Sequence, residues 1–482
     1  MDILPDAVAR RERTLAALTA SFACALSEDL RFLAFTTPAS FREPEIDNGW
    51  HPYLIRRGFV AFLLDQLPVF LRSCAGGVRR FILGRFGGST LIEQPGATVL
   101  AVTPASTCRI ASGRMETSYV HPDDVDRVHW LVLHDTTARP GDAPWCRVRI
   151  FAVFVRLLAA WARTAIAPQG DWRDWAVGVT LLLRWVLHGF WAVHLMHAQA
   201  MEHAIRKFRP ALVFCVHEVW PHARVLWSVA QRVGVRSTTV QHASIRRTKL
   251  WYFPDAREIL AGQATPETFA VFSAQDRALL TPYYPQGTAL PIVCGPRYAH
   301  WKTRSAPSLR ARLRAPHVLF VSSIPWWDIA VLVCALERLA ADGVPRARVV
   351  VRLHPAAAPR RRSLRALRRL EERAFLERAT GSLDDDLADA SIVIGMNTTV
   401  LEEAALIGRA VLVLTTDRFL SFAPHLGVHR EATALTWDAV HAARDRCTAL
   451  RTSMEHEARE GLGIAASTFR LVLDDHSTSA VP

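Results

Sequence analysis

Two groups of polar residues sit where this sequence turns from an apolar run into a helical pattern. In the C-terminal half, the apolar segment Ser391 to Gly395 leads into Asn397, Thr398 and Thr399, and then into a helical run from Val400 that carries Glu402 and Glu403. Hydroxyls and backbone N–H groups at a helix start suit a phosphate, because the helix dipole and the orphan donors both favour an anion. Upstream, Val349 to Leu353 ends in His354-Pro355, with Arg352 nearby. The proline keeps His354 out of helical backbone, and an imidazole there could hold a departing phosphate. Ser322 and Ser323 follow a third apolar run, His317 to Val321. In the N-terminal half, His217 and Glu218 follow Ala211 to Val216, Gln241 and His242 follow Ser237 to Val240, and Asp135 follows His129 to His134. A carboxylate beside a histidine suits a general base acting on a hydroxyl. Structural readings stand beside these: Thr399 with Glu402 fits a capping box, and Glu218 could simply place negative charge at a helix starting near Pro221.

Other chemistries lack their parts. His121 to Asp124 and Asp384 to Asp386 are acidic clusters without metal-ligand spacing. No metal and no resident cofactor are expected. There is no Walker loop, no Gly-x-Gly-x-x-Gly after a strand and no Gly-x-Ser-x-Gly elbow. The net charge of +13 comes mainly from arginine, as in the run from Arg360 to Arg369. Such a balance favours anionic partners. No nucleic-acid-binding motif accompanies it, so nucleic acid is not an expected partner. The eight cysteines are scattered without a CxxC pair, which reads as a reducing compartment, and the first residues lack a secretory signal. Three apolar stretches, 53–74, 148–167 and 176–200, are each interrupted by charge or histidine. They read as buried or interfacial helices rather than membrane spans, and basic amphipathic helices can lie on an anionic leaflet.

These groups need a scaffold that gathers strand ends. Short strands alternate with helices over 211–240, with Pro221 to Val233 as helix and Gly234 as its cap, and again from His317 onward. Alternation of this kind implies parallel sheets covered by helices, with ligands beyond the strand C-termini. The expected organisation is a helical N-terminal region over 1–95, a Rossmann-like acceptor domain with a helical insertion over 96–300, and a Rossmann-like nucleotide-sugar domain with C-terminal helices over 301–482. A linker is expected at Gly295 to Pro316, rich in Pro, Arg and Ser.

The run Leu212 to Trp220, the stretch Ala230 to Val235 and the strand end Thr239 to Ala243 resemble bacterial surface-polysaccharide (capsule or O-antigen) glycosyltransferases of the two-Rossmann, GT-B type, with Ala243 where that group has Gly. The second half is similar to CMP-sugar transferases of the sialyl and Kdo type, whose His-Pro and Ser/Thr motifs match His354-Pro355 and Thr398-Thr399, and to teichoic acid glycerophosphotransferases. The resemblance implies an α/β, GT-B-like fold of two facing Rossmann-like domains. It also implies metal-independent transfer of a sugar, a CMP-activated ulosonic acid among the options, from a nucleotide donor to a surface glycan or glycolipid. In that reading Glu218 or His242 is the base, and His354, Pro355, Asn397, Thr398, Thr399, Ser322, Ser323 and Glu403 hold the donor. Asp135, His217 and Gln241 face the acceptor. The protein would be cytoplasmic, peripheral at an anionic inner membrane face. A UDP-sugar 2-epimerase and a non-catalytic basic scaffold are the alternatives.

Overall fold

The computed structural model describes residues 6–42, most of 67–79 and, with short breaks, 87–134, 144–293, 317–416 and 428–444. The first unit contains β1 (Gly88–Ile92), β2 (Val99–Pro104), a small hairpin of β3 (Arg109–Ala111) and β4 (Arg114–Glu116), β5 (Val128–His134), β6 (Leu212–Cys215), β7 (Arg236–Val240) and β8 (Thr268–Ala270). Six of these make one sheet in the order β1-β5-β2-β6-β7-β8. All its pairings are parallel except that of β1 with β5. Its central strands are apolar on both faces, as a sheet covered on both sides requires. Leu100 and Val102 face one core while Val99 and Ala101 face the other. Each large side chain among them contributes about 1.5–3 kcal/mol by leaving water.

The second unit contains β9 (His317–Val321), β10 (Arg348–Arg352), β11 (Glu377–Arg378), β12 (Ala390–Gly395), β13 (Ala410–Thr415) and β14 (Val428–Glu431). They form an all-parallel sheet in the order β11-β10-β9-β12-β13-β14. Counted along the chain this is 3-2-1-4-5-6, the doubly wound order. In the first unit β5, β2 and β6 repeat the same central arrangement, with β1 in the outer place beside β5. The two-sheet, GT-B-like α/β architecture expected from the sequence is therefore present.

Helices cover the first sheet. They are α1 (Asp6–Cys24), α2 (Arg31–Arg42), α3 (Pro144–Ala165), α4 (Trp172–His188), α5 (Trp191–Phe208) and α6 (Pro221–Val233). Two short helices, α7 (Ala256–Leu260) and α8 (Ala274–Leu280), follow. Helix α6 has the bounds read from its sequence: Pro221 opens it and Gly234, at φ 76°, closes it. The apolar stretch 176–200 is two helices, not one. Gly189 at φ 72° ends α4, and α5 leaves at 64°. Among the described residues no single helix is long and apolar enough to cross a membrane.

Helices α1 and α2 bury Leu15, Phe22, Leu33 and Phe35 in the same core as Leu100 and Val213 of the first sheet. The expectation of helix through residue 95 fails at its end, where Gly88–Ile92 is strand β1. Its half-exposed, mixed polar residues give no apolar run to read, and pairing with β5 decides the matter. The expected linker, the tail beyond 444 and residues 53–66 of the first apolar stretch lie outside the described residues. No disulfide joins Cys24, Cys74, Cys108, Cys215 or Cys334 to another described residue.

In the second unit α9 (Trp326–Ala341) follows β9, α10 (Arg361–Glu372) follows β10, α11 (Leu383–Asp389) precedes β12, and α12 (Val400–Leu406) follows it. Gly395 lets β12 close on β9: a Cβ there would lie 2.7 Å from the Val321 carbonyl oxygen and 3.0 Å from its Cγ2. A backbone oxygen in a central strand has little room to yield. Gly395→Ala is therefore expected to cost about 1–3 kcal/mol. Urea unfolding reads this as a lowered midpoint, and an unchanged midpoint would mean the strands spread without penalty.

Candidate functional site

Chain connections leave β9 and β12 in opposite directions along the sheet, so a crevice opens beyond their C-terminal ends. Ser322 and Ser323 stand at the end of β9. The Ser322 N–H donates to the Arg352 carbonyl at 3.1 Å, and its Oγ accepts from the His354 N–H at 3.2 Å. These bonds carry the β9–β10 pairing past its last residues and fix His354 beside the serines. The Ser323 N–H donates to Oδ2 of Asp328 at 2.7 Å. Asp328 lies in the first turn of α9 and is 1% exposed. Its carboxylate thus takes up the Ser323 N–H at the β9–α9 turn. Ser323 is 6% exposed, and its hydroxyl has no hydrogen-bond partner among the described residues.

The β12–α12 turn differs from the capping box expected of it. Thr399 makes no side-chain cap bond. Instead Oγ1 of Thr398 accepts from the Val400 N–H at 3.3 Å. The N–H groups of Leu401, Glu402 and Glu403 bond the Thr398 and Thr399 carbonyls. Donors expected to be open at this helix start are thus engaged. An anion here would meet hydroxyls, since a threonine that accepts from an N–H still has its own hydrogen to donate. Thr398 and Glu403 are buried, Asn397 and Thr399 are half-buried, and His354 and Pro355 are exposed at the rim. Arg352 is not a member of the group. It pairs with Asp386, and its Nη2 donates to the Gly381 carbonyl at 2.5 Å.

In the first sheet the corresponding crevice lies between β2 and β6. Asp135, His217 and Glu218 lie outside the described residues, but their flanks do not. The Val216 carbonyl accepts from Nε2 of His222 at 3.0 Å. His222 is the second residue of α6 and fully enclosed. Burial drives its pKa down to about 4, opposed by the bond to Val216 and reinforced by the nearby His197 and His242. It is therefore neutral, with its proton on Nε2.

Gln241 is 3% exposed and bonded at both ends of its amide. Its Nε2 donates to Oδ2 of Asp276 at 3.3 Å and its Oε1 accepts from the Phe272 N–H at 2.8 Å. These bonds hold its amide between β7 and α8. Phe272 packs against core residues of both sheets. A second apolar core joins Trp251, Tyr252, Phe269 and Tyr284 of the first unit to Val318, Phe320 and Trp327 of the second. Trp220, two residues after Glu218, packs on that shared core, and His242 is half-buried next to Gln241.

Sequence reasoning missed His222, Asp328, Phe272 and Gly395. Asp328 has a signal, being an acid in the first turn of a helix that follows a Pro. The other three depend on contacts between elements.

No protein-family model and no curated sequence matches the chain. Among solved structures it is similar to an S. aureus MnaA–UDP co-structure, at 12% identity over 80% of this chain and 97% of that one, with a TM-score of 0.46. A trehalose 6-phosphate synthase from Burkholderia multivorans gives 12% identity, 80% and 97% coverage and a TM-score of 0.42. A structure described as a putative UDP-N-acetylglucosamine 2-epimerase from Listeria monocytogenes gives 15%, 60% and 80%, and 0.41. At these TM-scores the likeness adds nothing to the strand order, which alone defines the fold.

Proposed function

We propose that this protein is a nucleotide-sugar glycosyltransferase whose second sheet holds the donor and whose first sheet presents the base. The observation that carries the reading is the buried hydroxyl of Ser323, without a hydrogen-bond partner among the described residues, just past the end of β9, with Thr398 just past the end of the neighbouring parallel strand β12. A buried hydroxyl without a partner costs about 1–3 kcal/mol. A phosphate oxygen in the crevice would offset that cost, which is a reason for a chain to keep the serine.

In this reading Ser323, Thr398, Thr399 and Asn397 hold the nucleotide phosphate, and His354 at the rim donates to it. Glu403, buried in the first turn of α12, is kept in this reading as a donor-side residue. Glu218, or His242, takes the proton from an acceptor hydroxyl. The acceptor oxygen then bonds the anomeric carbon as the bond from that carbon to the phosphate oxygen breaks, and the nucleotide leaves with the electron pair. Hydroxyls and imidazole answer the growing negative charge on the leaving phosphate. The finer expectations, a CMP-activated ulosonic acid as donor and a glycan or glycolipid at the inner membrane face as acceptor, rest on the His354-Pro355 and Thr398-Thr399 motifs.

Thermal unfolding with CMP, CDP, UDP and GDP tests the reading. At 100 times Kd a bound nucleotide stabilises the folded chain by about 2.7 kcal/mol. Ser323→Ala is expected to leave the free protein as stable as before or slightly more so, while shrinking the nucleotide-induced shift. No response to any of the four nucleotides overturns the proposal. Release of free nucleotide from the donor, against equilibration of a UDP-sugar with its C2 epimer, then separates transfer from epimerisation.

A further inference from the structure

An apolar cavity of about 260 Å³ opens at the elbow between α4 and α5, within the first unit's helices. Its lining includes Val186 and Trp191 at the elbow, Phe151 and Phe154 of α3, and Cys74 and Val78. The volume is near the lower end of the range for small-molecule pockets. Its rim is apolar and uncovered: Phe151 is 55% and Val78 59% exposed. Val155, one turn after Phe151 on α3, is exposed too, as are Leu67 and Leu71 upstream of Cys74. Single exposed apolar residues need no explanation, whereas a contiguous group around an apolar cavity marks an interaction site.

Among the described residues of 67–79 and of α3, the charged ones are all arginine. Arg72 and Arg79 flank the segment with Val78, and Arg149 and Arg156 flank Phe151 on α3; all four are exposed. Helix α3 has no Asp or Glu in its 22 residues. None of the four arginines is in an ion pair with a described residue. An apolar strip edged by arginine is the composition of a helix pair that lies in a membrane interface. A second copy of the chain is disfavoured as occupant, because a two-fold contact would set like charges against each other.

We infer that this face docks on an anionic phospholipid bilayer, with one acyl chain entering the cavity at the α4–α5 elbow. The arginines meet lipid phosphates while Phe151 and Val78 enter the interface beside the chain. This inference is independent of the chemistry proposed for the crevice, since vesicle binding reads one surface and nucleotide binding the other, and either can fail alone.

The test is co-sedimentation of the full chain with vesicles of phosphatidylcholine alone or mixed with phosphatidylglycerol. Binding is expected only with the anionic mixture and is expected to fall as salt rises. Phe151→Asp and Val78→Asp, both at exposed positions, are each expected to weaken it at least tenfold, as is joint replacement of the four arginines by glutamine. Site-resolved alkylation reads the cavity itself. Cys74 is expected to react at least fivefold more slowly on the anionic vesicles, and Cys334, in the second unit, at its usual rate. Absence of binding to anionic vesicles overturns the inference, as does binding indifferent to Phe151→Asp or an unprotected Cys74. A dimer in light scattering that Phe151→Asp dissociates, without vesicle binding, assigns the face to a second copy instead and equally overturns it.

Discussion

The Glu218→Gln substitution is expected to lower turnover by about 10²- to 10⁴-fold, the range supplied by a positioned general base, with nucleotide binding unchanged. Its place gives the reason. Strand β6 ends at Cys215, Val216 is held by His222, and Trp220 is anchored on the core shared by both units. In the sequence Glu218 falls between Val216 and Trp220, three positions after the last residue of β6, a strand beside the first sheet's switch in direction. Single-turnover measurements with the donor that stabilises the chain, set beside calorimetric nucleotide titration, separate the two effects. Glutamine keeps the size and loses the basic oxygen, so a fall in binding would point to lost structure instead. Full turnover in Glu218→Gln, with a collapse in His242→Gln, would transfer the role of base to His242.

The second large effect is on stability as pH falls. His222 has a folded pKa of about 4 against an ordinary value of 6.5, because burial disfavours its charged form. Between these values the unfolded chain binds the proton and the folded chain does not. The stabilisation from keeping His222 neutral is therefore fully present above pH 6.5 and is lost progressively as pH falls toward 4. The difference amounts to about 3 kcal/mol at about 1.4 kcal/mol per pKa unit. Urea unfolding at about pH 7, 5.5 and 4.5, spanning that window, measures it. His222→Gln retains a side-chain N–H for the Val216 carbonyl and cannot titrate, so its stability is expected to decline less steeply. Parallel slopes for the two proteins would remove His222 as the cause.

The parts of this fold that are legible in the chain itself are those whose signals are local. Strands β9, β10, β12 and β13 are apolar runs bounded by polar turns, and α6 carries both its start and its stop in Pro221 and Gly234. The grouping of Ser322, Ser323, His354 and Thr398 at adjacent strand ends follows once the sheet is taken as parallel and doubly wound. What stays hidden depends on distant partners. Arg352 reads as company for a phosphate beside His354, and it is captured by Asp386 of α11. Thr399 has the spacing of a cap, and Thr398 fills that role because the turn enters the helix one residue earlier than the motif assumes. Strand β1 is set by its pairing with β5, and the bend at Gly189 by a left-handed backbone that composition alone does not announce. Gln241 is polar at a strand end like its neighbours, yet its amide is tied to Asp276 and Phe272.

The core shared by Trp251, Phe269 and Tyr284 with Val318 and Phe320 sets where the protein can be divided. Cutting at the connection between the two sheets would leave half of one apolar interior on each fragment, and both would tend to aggregate. A chimera that exchanges the donor-side half must take residues 245–293 along with it. The seam for recombination thus falls after β7, well ahead of the covalent link that joins the sheets.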